Sequence, residues 1–160
     1  MPIFSIRLKK LLPAIVLPLL VGLLGSFAVR SGLEQYQALT KPLLTPPPVV
    51  FIVAWSILYL LMGVAAYRVS IAYVDAKQKT VALRWYYAHL LLNLIWPTLF
   101  FGFGLLKTAA VVLVLLWVAV LITLLHFLYI DKPAGYLLVP YLLWLSFAAY
   151  LNTGYILLNA

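Results

Sequence analysis

Tyr36-Gln-Ala-Leu-Thr-Lys-Pro-Leu-Leu-Thr-Pro-Pro-Pro-Val-Val-Phe-Ile-Val-Ala-Trp-Ser-Ile-Leu-Tyr-Leu-Leu-Met62 decides how this chain is read. Its first half is a polar loop stiffened by Pro42 and by Pro46, Pro47 and Pro48. Proline fixes φ and holds the residue before it extended. The second half is an apolar helix, and prolines suit its start because the first amides of a helix lack partners anyway. Bilayer-crossing helices are usually aliphatic, yet this one carries Trp55 and Tyr59 one turn apart on a single face. The combination implies a rigid lid over an aromatic pocket inside a membrane protein.

Working outward, the 160 residues are 67% hydrophobic with a mean hydropathy of +1.14. Soluble domains average about 45–50% apolar. The excess falls in five runs, Leu11–Val29, Val49–Tyr67, Trp85–Leu106, Thr108–Tyr129 and Tyr136–Leu158. Each is long enough to cross about 30 Å of hydrocarbon at about 1.5 Å per residue. Lipid offers no partners to backbone amides, so the runs are expected to be helical. None alternates with the period of two that a barrel needs. The expected fold is an all-α membrane protein: one domain over residues 1–160, a five-transmembrane-helix bundle whose long first loop caps a ligand cavity. The third and fourth runs are parted only by Lys107, which predicts a tight turn there. The first run follows Arg7, Lys9 and Lys10 as a signal peptide would, but no small-x-small site ends it, so a retained helix is expected.

Eleven Lys and Arg face three acids, Glu34, Asp75 and Asp131. The cations lie in the gaps between apolar runs, which fits anchoring at anionic lipid surfaces and not nucleic-acid binding. The N-terminus, second loop and fourth loop hold eight of them, the opposite side three. The positive-inside rule therefore puts the N-terminus inside and the long first loop outside. A multi-pass protein of the bacterial cell membrane is expected, with the outer membrane as an alternative. The absence of cysteine rules out disulfides and thiolate chemistry.

Three helical stripes share one design. They are Phe51, Trp55, Tyr59 and Met62; His89, Asn93, Trp96 and Phe100; and Pro140, Trp144, Ala148, Leu151 and Tyr155, with Phe147 beside the last. Converging, they would wall a flat apolar slot suited to a planar ligand. Asn93 is expected to hydrogen-bond a ligand or another helix, because an amide at membrane depth is costly unpaired. Trp85 reads as an interfacial anchor and Trp117 as packing. His89 and His126 read as structurally hydrogen-bonded residues; no metal site is expected. Neither a Ser-His-Asp set, a phosphate loop nor an acid within a span supports acid–base catalysis.

At these residues the chain resembles the TspO/MBR family, the tryptophan-rich sensory proteins, whose mitochondrial relatives are the translocator proteins or peripheral-type benzodiazepine receptors. The resemblance is carried by Tyr36-x-x-Leu39-x-Lys41-Pro42-x-x-x-Pro46-Pro47-x-x-x-Phe51-x-x-x-Trp55-x-x-Leu58-Tyr59. It continues in Leu91-Leu92-Asn93-x-x-Trp96-Pro97-x-x-Phe100-Phe101-Gly102 and Pro140-Tyr141-Leu142-x-Trp144-x-x-Phe147-Ala148-x-x-Leu151-Asn152. It implies a five-helix bundle, commonly a homodimer, that binds porphyrins and in some members sterol-like lipids or benzodiazepine-type drugs. No cofactor is required; porphyrin is the implied ligand. The cavity positions it implies are Tyr36, Pro46, Pro47, Phe51, Trp55, Asn93, Trp96, Phe100, Trp144, Phe147, Ala148 and Leu151, to which the aromatic stripe adds Tyr59. Trp55 and Trp144 match tryptophans implicated in light-dependent porphyrin breakdown.

Departures also bear on function. Gln35 stands where many members have tryptophan, and Val111-Val112-Leu113 where many carry an aspartate. Tyr155 is followed only by Ile-Leu-Leu-Asn-Ala, without the basic residue of the animal sterol pattern. The expected function is tetrapyrrole binding with a sensing or regulatory role. The alternatives are a light-dependent porphyrin-degrading enzyme, with Trp55 and Trp144 as catalytic residues, and a transporter of porphyrins, sterols or other amphipathic molecules.

Overall fold

Asp75 shows how local chemistry places the helices. Its carboxylate accepts from the Lys77 and Gln78 amides at 2.9 and 3.4 Å, capping a helix that begins at Ala76. The computed structural model describes residues 8–160. The sequence Met1–Arg7, including Arg7, one of the three basic residues counted toward an inside N-terminus, lies outside the described residues. The elements are α1 (Leu8–Ser31), α2 (Leu33–Gln37), α3 (Pro48–Ile71), α4 (Ala76–Pro97), a π turn (Thr98–Gly102), α5 (Leu106–Ile130), α6 (Lys132–Tyr136) and α7 (Val139–Leu158). All the regular structure among the described residues is helical.

Four stretches are long and apolar enough to cross a membrane: Leu8–Ser31, Pro48–Ile71, Leu106–Ile130 and Lys132–Leu158. α4 has the length, at 22 residues, but carries Lys77, Lys79, Arg84, His89 and Asn93. It starts nine positions before the expected Trp85, because its charged first turns read as loop while Asp75 supplies the cap. It also ends well before the expected Leu106. Pro97 has no amide to continue the ladder, and the chain widens into the π turn, where the Phe103 amide donates to Thr98 O at 3.0 Å. The reversal falls not at Lys107, which lies inside α5, but at Gly104, whose φ of +64° suits glycine.

α1 packs chiefly on α3, α4 on α5, and α5 on α7. The α1–α3 approach needs glycines: a Cβ at Gly63 would meet the Ala14 and Ile15 backbone, and one at Gly22 the Tyr59 ring. α1 fully buries only Pro18 and Gly25, leaving Leu12, Val16, Leu20, Leu24 and Phe27 on the outside, the surface a helix presents to lipid. Met62, Val69, Leu113, Leu116, Val120 and Phe127 form the centre of the core. At the end holding the α3–α4 loop, Arg68 grips Asp131 with two bonds of 2.6 and 3.1 Å, and Asp131 also accepts from the Ala134 amide to start α6.

At the opposite end, residues 38–47 are pinned to α7. The Thr40 amide donates to Asn159 Oδ1 at 2.8 Å, Asn159 Nδ2 returns a bond to Thr40 O, and the Tyr150 hydroxyl donates to Leu43 O at 2.9 Å. Pro42 is buried against Gly154, where no side chain would fit. The order expected of this loop therefore comes from its bonds to α7 as well as from its prolines.

Candidate ligand-binding site

Backbone contact between α3 and α7 is sparse, and side chains fill the space between them. Trp55 lies at the middle of that filling. It stacks on Tyr59 with ring centroids 5.5 Å apart, and meets Trp96 at 6.5 Å, Tyr141 at 6.1 Å and Trp144 at 6.5 Å. Phe51 presents its edge to Trp144 at 5.7 Å, and Trp144 in turn touches Phe147 at 5.6 Å. Trp96 stacks on Phe100 at 5.5 Å. Such separations put rings in direct contact. The flat-walled slot expected from the stripes is occupied by the rings that were to line it.

Polar groups hold the cluster in register. The Tyr59 hydroxyl donates to Asn93 Oδ1 at 2.8 Å, and Asn93 Nδ2 donates to the Tyr141 hydroxyl at 2.5 Å. One amide thus ties α3, α4 and α7 together. Trp96 Nε1 donates to Asn152 Oδ1 at 3.2 Å, and Asn152 Nδ2 donates to the Leu106 carbonyl at 3.0 Å. Trp144 Nε1 is different: it is buried and has no hydrogen-bond partner among the described residues. A buried indole N–H left unpaired calls for an acceptor.

α2 closes one side. The Tyr36 and Tyr155 hydroxyls share a bond of 2.7 Å, and the Tyr36 ring meets Phe100 and Phe101 at 6.2 and 4.9 Å. Burial, reinforced by the bond to Tyr155, pushes the Tyr36 phenol well above its ordinary value, so it stays protonated. The Gln35 side chain lies against Gly104 at the turn before α5.

Of the residues singled out in the sequence, the structure groups Phe51, Trp55, Tyr59, Asn93, Trp96, Phe100, Trp144 and Phe147 in one connected set, with Tyr36 joined through Phe100. Ala148 and Leu151 are buried in α7. Pro46 and Pro47 lie at the start of α3, Pro47 exposed as its cap. The expected α7 stripe holds at Ala148, Leu151 and Tyr155 and departs at its start. Pro140 is exposed and Trp144 half-buried, whereas Tyr141, Leu145 and Asn152, outside the stripe, are buried with its later residues. Tyr141 and Asn152 were missed, although Asn152 carried the same sign as Asn93, an amide within an apolar run. One smaller expectation fails. His89 is fully buried with both ring nitrogens unpartnered among the described residues, because its neighbours are the faces and edges of Tyr86 and Tyr141. Trp117 packs against the core as expected, and its Nε1 also donates to Ser146 Oγ at 2.9 Å.

Comparison with known proteins gives the family. The TspO/MBR family profile matches residues 14–158. The tryptophan-rich protein TspO of Chlorobaculum tepidum is 39% identical over 142 residues, covering 88% of this chain and 90% of its own. The tryptophan-rich sensory protein of Cereibacter sphaeroides is 40% identical across 79% of this chain and 77% of its own length. The translocator protein of Bos taurus is 37% identical across 86% and 82%. With its apolar helices, this chain is a membrane protein, and it belongs to the TspO/MBR family.

Proposed function

We propose that this chain is a membrane-embedded tetrapyrrole-binding protein with a sensing or regulatory role, and that the ligand inserts among Trp55, Trp96 and Trp144. The observation that carries this reading is the buried, unpartnered Trp144 Nε1 within a cluster of flat rings. A porphyrin offers ring faces for the indoles and acceptor atoms for that N–H. The rings part along the α3–α7 seam, which side chains bridge with little backbone contact. Five helices then span the bilayer, α4 shielding its polar residues inside the bundle. The N-terminus lies inside, in the bacterial cell membrane, and the chain pairs as a homodimer. The loop over residues 38–47 caps the site, and Lys41 on that loop and Arg30 in the last turn of α1 serve the ligand's carboxylates.

An absorption titration of the purified chain with protoporphyrin tests this. Saturable binding is expected, and Trp55→Phe with Trp144→Phe should weaken it by up to about thirtyfold, since each indole contributes on the order of 1 kcal/mol beyond area burial. Unchanged affinity in the folded double variant would overturn the site. Porphyrin bleaching under light that is lost in a fully loaded double variant would favour the degradative reading instead.

A further inference from the structure

Away from the aromatic cluster, at the end of the bundle that holds the α3–α4 loop, lies a groove of about 430 Å³. Ser70, Ile71, Ala72, Tyr73, Val74 and Asp75 form it, with Lys10 and Lys79 on its walls. Lys79 Nζ donates to the Ser70 and Ala72 carbonyls at 3.2 and 2.9 Å. Lys10 Nζ, from α1, reaches the same Ser70 oxygen at 3.5 Å. Two ammonium groups from different helices therefore share one acceptor at the C-terminal end of α3. The carboxylate in the groove, Asp75, is turned to the Lys77 and Gln78 amides as a helix cap. An ammonium has three donors, so Lys79 keeps one free and Lys10 two. Like charges held this close repel, and an anion between them would relieve the repulsion.

We propose that this groove binds the phosphate of an anionic phospholipid from the adjoining leaflet. The lysines meet the phosphate oxygens. Ile71 and Val74 contact the glycerol and first acyl carbons, and Tyr73, 95% exposed at the rim, sits at headgroup level as interfacial aromatics do. The site rests on the membrane placement of the bundle and not on tetrapyrrole binding, so loss of either leaves the other intact.

The test is lipid retention by the full chain in detergent, equilibrated with equal amounts of phosphatidylglycerol and phosphatidylcholine and counted by mass spectrometry. Wild type should favour phosphatidylglycerol about thirtyfold, at about 1 kcal/mol for each of the two lysines near an anionic surface. Lys10→Gln with Lys79→Gln should abolish the preference, while Lys9→Gln with Lys77→Gln, equal in charge change, should keep it. Because Lys79 also caps α3, Lys10→Gln alone provides a variant with that cap intact, and it should lose about half the preference in free energy. Equal loss in the Lys9/Lys77 variant, or no loss in Lys10→Gln, overturns the site. Displacement of the lipid by an equal concentration of inorganic phosphate overturns the lipid assignment, because the apolar wall would then contribute nothing.

Discussion

Asn93 and His89 stand one turn apart on α4, at 2% and 0% exposure, and their surroundings could hardly differ more. Around Asn93 both amide atoms are bonded, to Tyr59 on α3 and Tyr141 on α7. Around His89 neither ring nitrogen is bonded among the described residues, and neither is the hydroxyl of its neighbour Tyr86. The first region is a clamp in which one residue fixes three helices. The second is held by ring packing, with Tyr86 stacked on Phe127 at 5.9 Å. A polar residue at membrane depth is therefore not one kind of object. Its partners decide whether it organises the fold or is merely carried by it.

The largest effect should come from cutting the clamp. Asn93→Leu leaves the Tyr59 and Tyr141 hydroxyls without their partner, at about 1–3 kcal/mol for each buried group, so a loss of about 3 kcal/mol is expected. Thermal unfolding of the chain in detergent reads it as a lowered midpoint. A midpoint at or above wild type would show that Asn93 serves something other than helix joining, and would break the comparison at its root.

The clamp was half legible in the sequence. An amide inside an apolar run announces a hydrogen bond, but not its partner. Tyr59 stood on the quoted stripe, whereas Tyr141 lay one position off the stripe drawn through Pro140 and Trp144. Aromatic residues on α7 occur on two faces, and periodicity alone does not say which faces the core. The start of α4 was hidden for another reason. Hydropathy responds to Lys77, Lys79 and Arg84 as to a loop, whereas helix formation there responds to the Asp75 cap. The π turn after Pro97 has no hydropathy signature at all. Nor did composition say that the rings would fill their own slot, since that depends on how far apart α3 and α7 settle.

A smaller effect is expected where a clamp of the same kind lies at the edge. Tyr36 bonds Tyr155 as Asn93 bonds its tyrosines, but from a short helix that is partly exposed. Tyr36→Phe should cost about 1 kcal/mol, felt locally as about fivefold faster protease cleavage within residues 33–47, with the global midpoint nearly unchanged. Alkali should do the same in wild type. The folded Tyr36 phenol titrates above the unfolded value of about 10, so its contribution is full below that pH and falls as pH rises beyond it. Cleavage that is indifferent to both changes would mean that the loop is held by its α7 bonds at Thr40 and Leu43 alone.

The smallest effect should be at His89, and it is the sharper half of the comparison. If ring packing alone holds this region, His89→Leu removes two unpaired polar atoms and replaces the ring with an aliphatic side chain of similar size. Burying an imidazole without a bond costs free energy that leucine does not, which favours the variant. Lost edge contacts with Tyr86 and Tyr141, at 5.0 and 5.6 Å, work against it. These oppose each other within about 1 kcal/mol, so the unfolding midpoint should stay near wild type or rise slightly. The same measurement that shows a large drop in Asn93→Leu should therefore show almost none one turn away. A drop of similar size in His89→Leu would mean that the imidazole organises the core as the amide does, and the two regions would have to be treated as one continuous polar network.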